Sequence, residues 1–128
     1  MSTAVEASLR TYLGADATLT ALVGDRIYPG DIPDHDAPTP WLFYVVARSD
    51  PHVRLKGTAA KAKHTVELSA LGETYSAAAA VGSRVRELLD DWAGDGTVGQ
   101  CSWVSTERNP IDGGIEVLVT VELIGPAQ

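Results

Sequence analysis

Leu19–Val46 reads LTALVGDRIYPGDIPDHDAPTPWLFYVV, and the order of its pieces decides the fold class. A short apolar turn carrying Leu19, Leu22 and Val23 runs into Gly24, a residue suited to stopping a helix. The connector Asp25 to Pro40 then holds four of the seven prolines and four aspartates. Proline fixes φ and removes a backbone donor, so most of this segment is excluded from a central strand. Ile27-Tyr28 has room for a brief edge pairing before Pro29. Trp41 to Ala47 follows, rich in aromatic and β-branched residues and lacking alternation. That pattern fits a strand covered on both faces, or one covered in part by a neighbouring subunit.

Upstream, Thr3-Ala-Val-Glu6 has the form of a capping box, and Val5, Leu9, Tyr12 and Leu13 recur at helical spacing. Gly14 ends this first helix, and Asp16 is placed to cap the second. Downstream, Thr65 to Leu71 alternates as a half-exposed strand, with Val66, Leu68 and Ala70 on one face. Thr74 caps the longest helix, expected to reach about Trp92, whose stripe includes Tyr75, Ala78, Val81, Gly82, Val85, Leu88 and Leu89. Asp90 and Asp91 would then oppose the helix dipole. Thr97–Arg108 and Ile115–Ile124 flank Asn109-Pro-Ile-Asp-Gly-Gly114 and read as an antiparallel hairpin.

The expectation is one α+β domain over residues 1–128. A four-stranded, mainly antiparallel or mixed sheet carries the long helix and an N-terminal helix, with residues 25–40 and 48–64 as surface insertions. Its 45% hydrophobic and 21% charged residues are ordinary for a globular chain. The net charge of −7 argues against a dedicated nucleic-acid binder, which needs cations to neutralise phosphates. The charge is uneven: Arg48, Arg54, Lys56, Lys61 and Lys63 face Asp50 alone between Arg48 and His64, leaving +4 there and −11 elsewhere. Such a run is commonly a solvated loop.

Little in the chain resembles a reaction centre. The histidines His35, His52 and His64 fall in or beside expected loops, without the i, i+4 spacing of a helical zinc site. Asp31, Asp34, His35 and Asp36 carry metal-binding atoms but miss the calcium-hand pattern, and aspartates between prolines commonly cap turns. Cys101 is the single cysteine, so no internal disulfide forms; its expected role is a small buried hydrophobe beside Trp103. Gly-x-Ser-x-Gly and glycine-rich phosphate motifs are missing. Trp41, Trp92 and Trp103 sit at element ends, where core packing is the usual role. Glu6 and Arg10 interrupt any N-terminal signal run, and Trp41–Ala47 is too short to span a bilayer.

Several blocks recur in a familiar order: Leu9-Arg-Thr-Tyr-Leu13, Leu19 to Pro29, Pro40-Trp-Leu-Phe-Tyr-Val45 and Leu55-Lys-Gly57. Val66-Glu-Leu-Ser-Ala-Leu-Gly-Glu-Thr-Tyr75 follows, leading into Val81 to Leu89. In this order and spacing the chain resembles the phage tail-completion, or tail-terminator, family of long-tailed phages, nearly end to end and least after Gly94. It departs at Ser69-Ala-Leu-Gly72, where the family often has a more polar, tryptophan-containing segment.

The resemblance implies a structural virion protein with no catalytic, cofactor-binding or metal-binding residues. It implies a homo-oligomeric ring, usually hexameric, that caps the tail tube at its head-proximal end, stops its growth and meets the head connector or neck proteins. The implied site of synthesis is the host bacterial cytoplasm. No membrane or sequence-specific nucleic acid is an expected partner, although the genome can pass through such a ring. A ring interface is head-to-tail, so each subunit needs two different complementary patches. Arg48, Arg54, Lys56, Lys61 and Lys63, with Asp31, Asp34 and Asp36, are the expected subunit or partner contacts. The competing readings are a neighbouring head-closure adaptor and a cytosolic binding module unrelated to virions.

Overall fold

A computed structural model describes residues 3–30, 38–51, 61–96, 98–111 and 113–126. Along the chain it places α1 (Thr3–Gly14), α2 (Ala17–Val23), β1 (Ile27–Pro29), β2 (Trp41–Pro51), β3 (Lys61–Gly72), α3 (Tyr75–Leu89), β4 (Cys101–Ile111) and β5 (Gly114–Pro126). The strands form one mixed sheet in the order β1-β2-β3-β5-β4. The sheet has five strands, one more than expected, because Ile27–Pro29 pairs in parallel with Leu42–Tyr44. The other pairings are antiparallel. β3, α3 and β4 make a crossover whose two strands are separated by β5, a split βαβ arrangement.

Period-two alternation sends one set of side chains to a single covered face. Leu42 and Tyr44 of β2, Val66, Leu68 and Ala70 of β3, and Val117, Val119, Val121 and Leu123 of β5 are all buried there. Val5, Leu9 and Leu13 of α1, Leu19 and Val23 of α2, and Ala78, Val81, Val85 and Leu89 of α3 pack against them. The Tyr44 hydroxyl reaches across this layer and donates to the Glu6 carbonyl at 2.8 Å. Gly82 permits the closest approach of helix to sheet. A Cβ at that position would lie 2.6 Å from Val117 Cγ1.

The short α2 is held by one side chain with two tasks. The Asp16 carboxylate caps it by accepting from the Leu19 amide at 2.8 Å. The same carboxylate receives Arg84 of α3 in a two-pronged pair, Nε to Oδ2 at 2.9 Å and Nη2 to Oδ1 at 2.7 Å. Bidentate charge-assisted bonds fix direction as well as distance. α1 is tied to the end of α3 by the Tyr12 hydroxyl, which donates to the Leu88 carbonyl at 2.7 Å. The Tyr12 ring stacks on Trp92 with centroids 4.0 Å apart.

Several boundaries move from their expected places. α3 stops at Leu89, three residues before Trp92: Asp90 is its C-cap and Asp91 has φ +64°. The two aspartates therefore stand outside the helix, and Asp90 Oδ1 accepts from the Trp103 amide at 3.4 Å. Thr74 caps α3 as expected, accepting from the Ala77 amide. Pro110 lies within β4, where proline is tolerated because β4 is an edge strand. Bulges at Val46/Arg48 and Trp103/Ser105 shift the register of β2 and β4.

Two substitutions test this architecture. Gly82→Val pushes a branched side chain into Val117 and should lower the unfolding free energy by about 1–3 kcal/mol, read as a lower urea midpoint with unchanged slope. An unmoved midpoint would mean that α3 can lift from the sheet without cost. The Arg84 pair first, and the Leu19 amide second, hold the Asp16 carboxyl at about 2. Its stabilising effect is thus complete above the unfolded-state value of roughly 3.9 and disappears as pH falls through the folded-state value. Thermal midpoints of the wild type should fall more steeply than those of Asp16→Asn between pH ~4 and ~2; parallel curves would show that the pair adds nothing.

Candidate assembly surfaces

Among the described residues, no three His, Cys, Asp or Glu side chains converge to hold a metal. Asp31, Asp34, His35, Asp36 and His52 lie outside the described residues. His64 is not a loop residue: it is fully buried on β3, between the Ser49 hydroxyl at 2.7 Å and the Pro126 carbonyl at 3.0 Å. Cys101 opens β4 and is fully buried. Burial, reinforced by the nearby Asp90 charge, pushes its thiol up to about 12, so it stays protonated at neutral pH. No described helix is long and apolar enough to cross a membrane.

Both ends of the basic segment are strand. β2 extends to Pro51 and β3 begins at Lys61, with Asp50 opposite Lys63 and Arg48 opposite Thr65. Arg48, Lys61 and Lys63 therefore stand on the sheet face away from the helices, while Arg54 and Lys56 lie outside the described residues. Part of the positive charge is already compensated there. Arg48 Nε lies 2.9 Å from Asp50 Oδ2, and Lys63 Nζ lies 3.8 Å from Glu122 Oε2. The Arg48 side chain is 72% exposed, so its pair contributes little to stability and leaves the guanidinium available.

The same face changes character toward the other end of the strands. Trp41 sits opposite Leu71, Phe43 opposite Ser69, and Tyr28 opposite Phe43. Leu118 continues the row beside Ser69. Tyr28 and Trp41 meet edge to face with centroids 6.1 Å apart. All of these side chains except the buried Ser69 are half-buried, and among the described residues no helix lies over them. The uninterrupted apolar run Trp41–Ala47 thus comes from a strand with a helix-covered face and an equally apolar open one. The connector departs from this corner: the Gly30 amide donates to the Tyr44 carbonyl at 2.7 Å, and Arg26 Nε donates to the Pro40 carbonyl at 2.9 Å.

A second surface lies at the opposite edge and was missed in sequence. Tyr75, Val104 and Ile111 are the exposed large hydrophobics among the described residues, at 49%, 49% and 44%, and all three border β4 or the start of α3. A groove of about 170 Å³ runs between these elements, lined by Tyr75, Gly82, Ser83, Arg86, Trp103 and Thr106. The Arg86 guanidinium lies 3.8 Å from the Trp103 ring centroid, and that of Arg108 lies 4.8 Å from the Tyr75 centroid. Trp103 packs in part against the core, as expected, and its remaining surface meets Arg86. Their adjacency depends on the α3–β4 crossover, which no local pattern reports.

Comparison with known proteins gives a family. The family model described as tail completion protein gp17 matches residues 7–118. No curated protein matches the chain. A solved chain from the virion of a native gene transfer agent (GTA) particle has the same fold, with a TM-score of 0.72 and 18% identity. The match covers 96% of this chain and 95% of that one. With most of its length matched, the chain belongs to the tail completion protein gp17 family, whose role is a structural one in the phage tail.

Proposed function

We propose that this member of the tail completion family is a ring subunit, forming a homo-oligomer, expected to be a hexamer, at the head-proximal end of the tail tube. The ring terminates tube growth and offers a landing surface to the neck proteins of the head. The observation that carries this reading is the family match across residues 7–118. Two features of the chain support it. Identical subunits in a closed ring need two non-equivalent patches each, and the open sheet face and the β4 edge are different in chemistry and position. The half-buried aromatics Trp41 and Phe43 suit a surface that another protein covers.

Charge sets the register in this reading. The cations of the basic segment, Arg48, Arg54, Lys56, Lys61 and Lys63, meet the acidic body of a neighbouring component, and the aspartates Asp31, Asp34 and Asp36 bring negative charge to a separate contact. Complementary charges of this kind govern encounter and alignment more than affinity.

Electron microscopy of particles made without this chain tests the function. Overlong or unjoined tails are expected; tails of normal length with heads that leak DNA would point instead to a head-closure adaptor. The charge assignment has its own test in sedimentation velocity. Reversing Arg54, Lys56, Lys61 and Lys63 together should shift assembled protein toward monomer, as should high salt. Assembly indifferent to both would sink the assignment.

A further inference from the structure

We propose that the groove between α3 and β4 of one copy receives the proline- and aspartate-rich segment 31–40 of the next copy. The contact rests on the ring reading only for closure of the assembly; pairing between copies is a separate claim.

The two partners are chemically matched. The segment reads DIPDHDAPTP, with three aspartates, three prolines and no lysine or arginine. The groove offers two aromatic walls, Tyr75 and Trp103, each with a guanidinium stacked near it. A guanidinium lying flat on a ring keeps its N–H edge free for a carboxylate, which it binds bidentately. Among the described residues neither Arg86 nor Arg108 is engaged in an ion pair. Proline-rich segments dock in aromatic-lined grooves because their backbone is already restricted and loses little entropy on binding. Prolines against Tyr75 and Trp103, with aspartates on Arg86 and Arg108, use both properties at once.

Topology directs the segment to another copy. Its ends are anchored at Gly30 and Pro40, in the β1–β2 corner. The groove lies beyond β3 and β5, at the far edge of the sheet. Three strand spacings of about 4.8 Å separate β2 from β4, and the groove is on the far side of that distance, around the edge. A segment held at both ends must go out and return. At roughly 3.5 Å per residue, ten residues reach at most about 17 Å under full extension, which leaves no slack to enter the groove and lie along it. Donor and acceptor at opposite edges make a head-to-tail contact, which propagates from copy to copy instead of closing as a two-fold dimer.

Disulfide trapping tests the contact in the full chain. Ser83 lines the groove and is exposed, while the native Cys101 is fully buried. Mild oxidation of the double variant Ser83→Cys with Asp34→Cys should give a ladder of linked copies on a non-reducing denaturing gel, whereas each single variant should not. Adding Arg86→Glu and Arg108→Glu should cut ladder yield by at least about tenfold, equivalent to ~1.4 kcal/mol. Introducing Asp31→Arg and Asp36→Arg should restore it. Circular dichroism confirms that each variant is folded.

The contact is overturned by a folded double variant that forms no ladder either free or bound to tails. A link closed within one copy, a ladder indifferent to the Arg86 and Arg108 reversals, or a product linked to the tail tube protein would also overturn it. Tails that terminate normally without a ladder remove the contact and leave the function. Ladders from a chain whose loss does not affect tail length remove the function and leave the contact.

Discussion

The seating of α3 on β5, at the point where Gly82 faces Val117, is the constraint on which the other features depend. A helix that lies this close to a sheet must present a residue without a side chain at the point of contact. Once α3 is held there, its outer flank runs along β4 and brings Tyr75 and Arg86 beside Trp103 and Thr106. Its other flank carries Arg84 to Asp16, which starts α2, and Leu88 to Tyr12, which steadies α1. All three helices are thereby gathered on one side of the sheet. Among the described residues, the opposite side is left to the strands.

Local chemistry explains what was legible in sequence. Asp16, Thr74, Gly24 and the period-two run Thr65–Leu71 each act through neighbours within a few residues, and each has the predicted role in the structure. The limits of α3 depended on something more distant. Trp92 fits the helical stripe, yet it leaves the helix to stack on Tyr12, and its carbonyl accepts from the Cys101 amide. Tertiary partners outcompeted one more helical turn. The fifth strand was visible as a possibility in Ile27-Tyr28, but parallel pairing with β2 cannot be read from three residues.

The surfaces were less legible than the fold, for the same reason. A run of cations shows in composition, so the basic segment stood out, although both its ends prove to be strand and two of its cations have acidic neighbours. The apolar open face left a trace in the missing alternation of Trp41–Ala47. The α3–β4 groove left none. Its residues come from two elements separated by a crossover, and Arg86 and Trp103 are unremarkable in their own segments.

β4 also determines how such a chain can associate without losing control of the process. An unpaired edge strand eleven residues long is a template on which further strands could add without limit. Here the template is broken twice, by the bulge at Trp103/Ser105 and by Pro110, which has no amide hydrogen to offer. Backbone zippering along this edge is interrupted within a few residues, and side chains are left as the means of recognition. Any contact made along this edge is then confined to a defined place and resists running on into fibres.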